Sequence, residues 1–415
     1  MNTLKLIRNN WKKSLLLSCV AGYGISTVKT NIDIKLYMSQ LSSEVLHSHQ
    51  NTSVLPKNVL VIMNPIAKKK KAENLFKKYC EPLLHLAGFS VEILRTNHIG
   101  HAKTYVEEMN TLPDVIVVAG GDGTKSEVVT GLLRRHGEIC PVSLLPLGRE
   151  KQSSFNFFDI GSNRELDFVK ALCKALLPLL KNQYRYADVI QYDVLDEDNT
   201  DNDGNSNSNN LKPIFGINGF SWGLLKDIDN MKDKYWYVGP LRHHFAAFFR
   251  SFSGKSNWDA ETNYVYTPPC RGCSNCCAEV EDQQAKGFFL SKLVKQQNVS
   301  RTAAQKLIKN DSCATKLHGC IKSNQVNINL SQNDENFSEL ESKFIDSLQP
   351  GWNFIKNIPK ITNKTLEPNL ILKSRTIKLY PSVGTEPIFY SIDGEEYEPR
   401  PIQVSIVPNA IKVFC

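Results

Sequence analysis

The sequence predicts an α/β N-terminal domain followed by a β-rich, sandwich-like C-terminal domain. Three features carry this expectation. Over the first half, short runs of β-branched and aliphatic residues alternate with segments of helical period, the pattern of a parallel sheet covered on both faces. A glycine-rich turn, Gly120-Gly-Asp-Gly-Thr124, stands between one such run and the next helix. From about Ala187 the chain changes to short segments that alternate with period two.

Taken in order, Val59–Met63 reads as a buried strand closed by Asn64-Pro65, because proline brings no N–H to a ladder. Ala72, Leu75, Phe76, Tyr79, Leu83 and Leu84 fall at helical spacing; Val91–Leu94 is a second strand, Ala102–Met109 a helix, and Val115–Ala119 a third strand that ends in the glycine turn. Thr124-Lys-Ser-Glu127 has capping-box spacing, so a helix is expected to begin there, with Val128, Val129, Leu132 and Leu133 as its buried stripe. Leu144–Gly148 gives another strand end, and Leu166–Leu180 a helix disturbed by Pro178. Val189–Leu195, Ile214–Ile217, Val326–Leu330 and Thr376–Tyr380 are the expected strands of the second domain. The resulting division is a leader over 1–35, a polar linker over 36–57, the α/β domain over 58–186 and the β-rich domain over 187–415. Insertions too polar to bury interrupt the last at 196–212 and 253–323.

With 415 residues, 41% of them apolar and 22% charged, the chain can bury one or two cores and is too polar to be a multi-span membrane protein. A net charge of +8 favours an anionic membrane surface or phosphorylated ligands. No RNP-like, finger-like or basic-zipper pattern accompanies that charge, which argues against nucleic acid. At the N-terminus, Lys5, Arg8, Lys12 and Lys13 precede the apolar stretch Ser14–Val28, and no acidic residue occurs before Asp33. The stretch is shorter than the roughly 20 residues that span a bilayer. A mitochondrial targeting segment or a shallow membrane anchor is therefore favoured over a secretory signal.

The glycine turn is the sharpest chemical signal. Its glycines let the backbone turn tightly and approach a polyphosphate, and the next helix would present unsatisfied N–H groups and the positive end of its dipole. It lacks the Gly-Lys-Ser/Thr of a Walker loop and the spaced glycines of a dinucleotide turn. Asp122, the only carboxylate within it, suits either proton acceptance from a hydroxyl or organisation of Mg²⁺. An ordinary glycine-rich turn with a solvated aspartate is the plain alternative. Near the C-terminus, Asp393 and Glu395 flank Gly394; alone they read as an exposed hairpin turn, but paired with Asp122 they would bring carboxylates from two domains to one cleft.

The strand end Asn64-Pro65, the loop Gly120–Thr124 followed by Glu127-Val-Val-Thr-Gly131, Pro146-Leu-Gly148 and Asp393-Gly-Glu395 resemble, in order and spacing, the diacylglycerol kinase catalytic family, which includes sphingosine and ceramide kinases. Leu6–Lys13, Leu84–Gly88, Lys234–Leu241 and Ser391–Glu398 resemble a mitochondrial branch of it that acts on acylglycerols. The resemblance implies that the α/β domain is nucleotide-binding, with ATP contacts at Asn64, Gly120, Gly121, Gly123, Thr124, Glu127 and Gly148. It implies Mg²⁺-linked or base roles for Asp122, Asp393 and Glu395, the identity of the base being open. Mono- and diacylglycerol would be converted to lysophosphatidic and phosphatidic acid, with acyl chains entering the second domain in the region of Trp222, Asp227 and Asp229. Ceramide or sphingosine specificity is the near alternative. It also implies a place at the mitochondrial inner membrane facing the intermembrane space, and membership of the carrier translocase for protein import, independent of catalysis. Two segments depart from the family pattern: Gly148-Arg-Glu-Lys-Gln152 replaces Pro-Leu-Gly-Thr-x-Asn-Asp, and Ile66-Ala-Lys-Lys-Lys-Lys71 is basic where Ser and Gly are common.

Cys270, Cys273, Cys276 and Cys277 form C-x2-C-x2-C-C, with Cys313, His318 and Cys320 downstream as possible completing ligands. Zinc held by thiolates, disulfides, and unligated thiols are three open readings.

Overall fold

The computed structural model describes residues 11–49, 58–135, 137–148, 165–195, 212–224, 228, 231–252, 260–270, 273, 310, 313, 315–332, 338–346, 356–357, 367–382 and 389–415. Arg149–Gln152, Asp227, Asp229, Cys276, Cys277 and most of both insertions lie outside these residues.

Strands β1 (Asn58–Met63), β2 (Ser90–Arg95), β3 (Val115–Ala119) and β4 (Val142–Leu144) pair in parallel in the order β2-β1-β3-β4. Because β1 and β3 are apolar at successive positions, they bury both faces, and each face receives its own helices. Val59, Val61, Met63, Val115, Val117 and Ala119 share a core with helices α1 (Trp11–His49), α2 (Glu81–Leu86) and α5 (Glu165–Leu180). Leu60, Ile62, Ile116 and Val118 share the opposite core with α3 (His101–Glu108) and α4 (Asp122–Arg134). Helical turns at Ala72–Leu75 and a π turn at Phe76–Cys80 lead into α2.

The linker expected over 36–57 is instead helical as far as His49, since α1 runs for 39 residues. Ile34, Leu41 and Val45 explain it: they recur at helical spacing and are buried against α5 and its neighbours, whereas the surrounding Ser, Gln and His gave the segment a polar composition. Further toward the N-terminus the same helix leaves Leu16, Val20, Tyr23, Ile25 and Val28 exposed. No helix among the described residues is long and apolar enough to cross a membrane.

The remaining strands build a sandwich. One of its sheets has the order β12 (Leu370–Ser374), β11 (Ser338–Ile345), β10 (Gln325–Gln332), β7 (Phe220–Gly223), β14 (Tyr390–Ile392), β15 (Glu395–Tyr397). Phe220, Trp222, Ile328, Phe344 and Tyr390 of this sheet meet Ile190, Tyr192, Ile377, Leu379 and Val404 of the other. Those last residues belong to β5 (Tyr184–Val194), β13 (Thr376–Pro381) and β16 (Ile402–Phe414), which continue outward through β8 (Ala260–Thr267) to an edge strand, β9 (Leu317–Ser323). The facing sheet is not confined to the second unit. Strand β16 pairs with β5 along one side; on the other it pairs first with β13 and then, at Val413 and Phe414, in parallel with β4 of the first sheet. Strand β6 (Ile214–Gly216) pairs with β5 and leads into β7.

If the second half of α1 belongs to the core, Leu41→Ala should destabilise the protein by about 2–4 kcal/mol, the usual cost of truncating a buried leucine. The exposed Val20→Ala should stay within about 0.5 kcal/mol. Urea unfolding of the two variants measures the difference, and equal midpoints would show that the helix does not pack as described.

Candidate active site

Helix α4 begins where β3 ends. Gly121 occupies the cap position in an extended conformation without a side-chain cap, and the first intrahelical bond runs from the Lys125 N–H to the Gly121 carbonyl at 3.1 Å. The N–H groups of Asp122, Gly123 and Thr124 therefore have no acceptor within the helix. The capping box expected from Thr124 and Glu127 does not form. Glu127 instead accepts the Gly100 N–H at 2.8 Å and the Ala102 N–H at 3.0 Å with its carboxylate, so that it secures the start of α3.

The glycines keep the approach to these N–H groups bare. A Cβ on Gly120 would lie 2.7 Å from Thr124, and one on Gly148 would lie 3.3 Å from the Gly121 Cα. Gly148 thus brings its loop against the glycine turn, forming a cradle that side chains would fill. An uncapped helix start lined by backbone fits phosphate oxygens. Asn64 braces it: its Nδ2 donates to Thr124 Oγ1 at 3.1 Å, its Oδ1 accepts the Ile66 N–H at 3.0 Å, and its own N–H donates to the Ala119 carbonyl at 3.1 Å.

Asp122 is not a lone carboxylate. Its Oδ1 accepts a hydrogen bond from Lys125 Nζ at 2.9 Å, and that lysine is 2% exposed. Sequence reading passed over Lys125, although it stands three and four residues before Val128 and Val129, in the stripe that becomes buried. A charged residue at such a position needs a partner.

The second unit delivers two further acids through the β14–β15 turn. Asp393 has both carboxylate oxygens engaged: Oδ2 accepts the Ile217 N–H at 2.7 Å, and Oδ1 accepts those of Asn218 and Gly219, each at 2.9 Å. Burial pushes its pKa up to about 6 against the pull of these three donors, and the neighbouring Asp122 charge adds to the rise. Its φ of 49° and that of Gly394 at 87° place both residues in the left-handed region, which turns the chain sharply toward Glu395.

Glu395 reaches the glycine turn. A Cβ on Gly123 would lie 3.2 Å from Glu395 Oε1, while Tyr397 Oη donates to its Oε2 at 2.9 Å. Burial, followed by the charge of Glu127 and a hydrogen bond with it, raises its pKa to about 7; the Tyr397 hydroxyl and Lys103 pull the other way. Carboxylate oxygens at Asp122 and Glu395 on either side of one turn are hard donors of the kind Mg²⁺ takes. The 217–219 turn carried no local signal, because it matters through Asp393, a partner distant in sequence; Tyr397 stands two residues from Glu395, and only the folded β15 shows its hydroxyl turned to that carboxylate.

The structure thus brings Asn64, Gly120–Thr124, Gly148, Asp393 and Glu395 together, with Glu127 one step behind. Of the cysteines, Cys270, Cys273 and Cys313 converge near the sheet edge. Cys320 does not join them: it is exposed on β9, its thiol 3.4 Å from Glu261 Oε1.

Residues 58–192 match the diacylglycerol kinase catalytic domain family, and residues 217–415 match the acylglycerol kinase C-terminal family. The chain is 30% identical over 433 residues to the mitochondrial acylglycerol kinase of Pongo abelii and 29% identical over 432 residues to that of Homo sapiens, covering 99% of this chain and 96% of the relative in each case. Sphingosine kinase 1 of Arabidopsis thaliana is 29% identical over 204 residues, 49% of this chain and 39% of that protein. Among solved structures, a Bacillus anthracis str. Sterne protein assigned as a diacylglycerol kinase superposes with a TM-score of 0.51 at 16% identity, over 88% of this chain and 97% of that one, a likeness of fold. With both halves matched in order and the site assembled between them, the chain belongs to the acylglycerol kinase branch of the diacylglycerol kinase family and is a lipid kinase.

Proposed function

We propose that the protein transfers the γ-phosphoryl group of ATP to the free hydroxyl of a mono- or diacylglycerol, with Glu395 as the base. The observation that carries this reading is the placement of the Glu395 carboxylate, from the second unit, against Gly123 in the uncapped first turn of α4. The backbone N–H groups of that turn hold phosphate oxygens, and Asn64 and Gly148 keep the turn in shape. Asp122 is the carboxylate best suited to hold Mg²⁺, which when bound neutralises phosphate charge during transfer. The acceptor hydroxyl gives its proton to Glu395 as its oxygen bonds to the γ-phosphorus, and the bond from that phosphorus to the bridging oxygen of ADP breaks.

The three acids differ in what their surroundings leave them to do. Asp122 is paired with Lys125. Asp393 is saturated by three N–H groups and acts as a positioning residue for the turn that aims Glu395. Glu395, raised toward neutrality, is matched to taking a proton near pH 7.

The mitochondrial relatives and the basic leader support a mitochondrial place of action. A surface for meeting the bilayer lies in the segment Lys232–Leu241 and helix α6 (Arg242–Phe252), where Tyr237, Leu241, Phe245, Phe248 and Phe249 are exposed. Tyr235 stacks on Phe249 at 5.4 Å, so the aromatic residues form one ledge rather than scattered contacts. Aromatic side chains flanked by Lys234 and Arg242 suit the boundary between headgroups and acyl chains.

Four outcomes test this reading. Glu395→Gln should lower kcat for γ-phosphate transfer to acylglycerol in mixed micelles by about 10²- to 10⁴-fold, the usual contribution of a general base. ATP affinity and the thermal midpoint should stay near wild type; retained turnover would remove Glu395 from the role. Asp393→Asn should lower both the rate and the stability, the latter by about 1–3 kcal/mol, since an amide cannot accept all three N–H bonds and leaves a buried donor without a partner.

The wild-type rate should fall as pH drops below about 7, because the base must be ionised. A rate flat down to pH 5 contradicts the assignment.

Phe248→Ser with Phe249→Ser should weaken flotation with vesicles containing acidic phospholipid by about tenfold or more, from the loss of buried aromatic area. Undiminished flotation would place membrane contact elsewhere.

A further inference from the structure

Away from the kinase site, where β8 leaves the sheet and β9 enters it, Cys270, Cys273 and Cys313 place their sulfurs within 4.8 Å of one another. Their exposures are 8%, 0% and 6%. Buried cysteines usually serve as small apolar residues within a larger core. Here these three form a buried cluster whose described members are the cysteines alone, with no leucine, valine or phenylalanine among them. Three thiols gathered this closely are within reach of one shared ion.

The spacing agrees. Cys270 and Cys273 form a two-residue chelate loop just after Thr267-Pro-Pro, and Cys313 returns from the far end of the excursion, four residues before β9. Asn310 holds the arrangement from outside: its Nδ2 donates to Cys270 Sγ at 3.4 Å, and its carbonyl accepts the Cys313 N–H at 3.1 Å. An amide donor to a ligating sulfur is the kind of outer contact that steadies a thiolate site. Tetrahedral Zn–S bonds of about 2.3 Å set sulfurs roughly 3.8 Å apart, a spacing the cluster reaches with small adjustments.

We propose that Cys270, Cys273 and Cys313 bind a structural zinc ion as thiolates, releasing their protons to solvent on binding, and that the ion clamps the two ends of the 270–313 excursion beside edge strand β9. The site is independent of the kinase chemistry. It offers soft ligands, unlike the hard oxygens at Asp122 and Glu395, so it selects zinc rather than magnesium. Cys320 lies outside it, in the middle of β9 and turned toward Glu261.

The test is metal content of the untagged full-length protein, purified without chelator and measured by plasma mass spectrometry. About one zinc per chain is expected, with at least three sulfur neighbours near 2.3 Å by X-ray absorption. Cys320→Ser should retain the ion, and Cys273→Ser should lose most of it. Should Cys273→Ser fail to fold, the wild type still decides: titration of its thiols with a mercurial should release zinc in step with the thiols modified. Folded wild-type protein with less than about 0.1 zinc per chain, zinc undiminished in a folded Cys273→Ser variant, or recovery of any two of the three cysteines in a disulfide-linked peptide would each overturn the proposal.

Discussion

The polar face of α4 has to be buried, and the site is built from how that is done. Ser126 and Thr130 are buried, and both hydroxyls donate to the Phe215 carbonyl of β6, at 2.9 Å each; the Phe215 N–H donates back to Thr130 at 3.1 Å. Arg134 adds bonds to the Pro213 and Lys212 carbonyls. Once β6 is fixed, the 217–219 turn that follows it presents its N–H groups to Asp393, and Gly394 turns the chain so that Glu395 lies against Gly123 at the start of the same helix. The circuit closes on itself. Buried donors left unmatched cost about 1–3 kcal/mol each, so no member can move without exposing the others to that cost.

The circuit also buries acids close together, and that burial, with their mutual repulsion, has consequences for stability. Asp122, Glu127, Asp393 and Glu395 are opposed by Lys125 and Lys103. Asp122 is matched locally, whereas Asp393 and Glu395 bind protons more tightly in the folded protein than in the unfolded chain. Stability from these two groups is therefore greatest at low pH and declines as pH rises from the ordinary carboxylate range through about 6 for Asp393 and about 7 for Glu395. The charge state that the proposed mechanism needs is the one the fold least favours. A cation or the positive end of α4 offsets part of that, and the uncapped first turn stands where it can.

Much of the scaffold was legible because it is local. Val59–Met63 and Val115–Ala119 are apolar at every position and could only be buried strands, and the glycine turn between strand and helix announced a helix start with unsatisfied N–H groups. What escaped depends on partners remote in sequence. Glu127 has capping-box spacing but goes to Gly100 and Ala102, because α3 brings its own unsatisfied N–H groups nearby. Asp393 reads as a hairpin acid until the 217–219 turn arrives. Cys320 sits only seven residues after Cys313, yet strand geometry turns it to Glu261. The α1 stripe at Ile34, Leu41 and Val45 is spread thinly enough for polar neighbours to mask it.

Strand β16 decides how the two units can move. It carries 13 residues, pairs with β5 on both sides of an irregularity at 408–410, and passes from β13 in the second unit to β4 in the first. Its register shifts between Val407 and Ile411, where Asn409 enters the left-handed region and its N–H donates to Asp188 at 2.6 Å, so the strand bends to serve both sheets. A hinge that opened the cleft would have to break pairing with β4 or with β5, or else tear the Phe215 bonds from α4. The carboxylates are therefore set in place before substrates arrive, and binding energy need not be spent on assembling them.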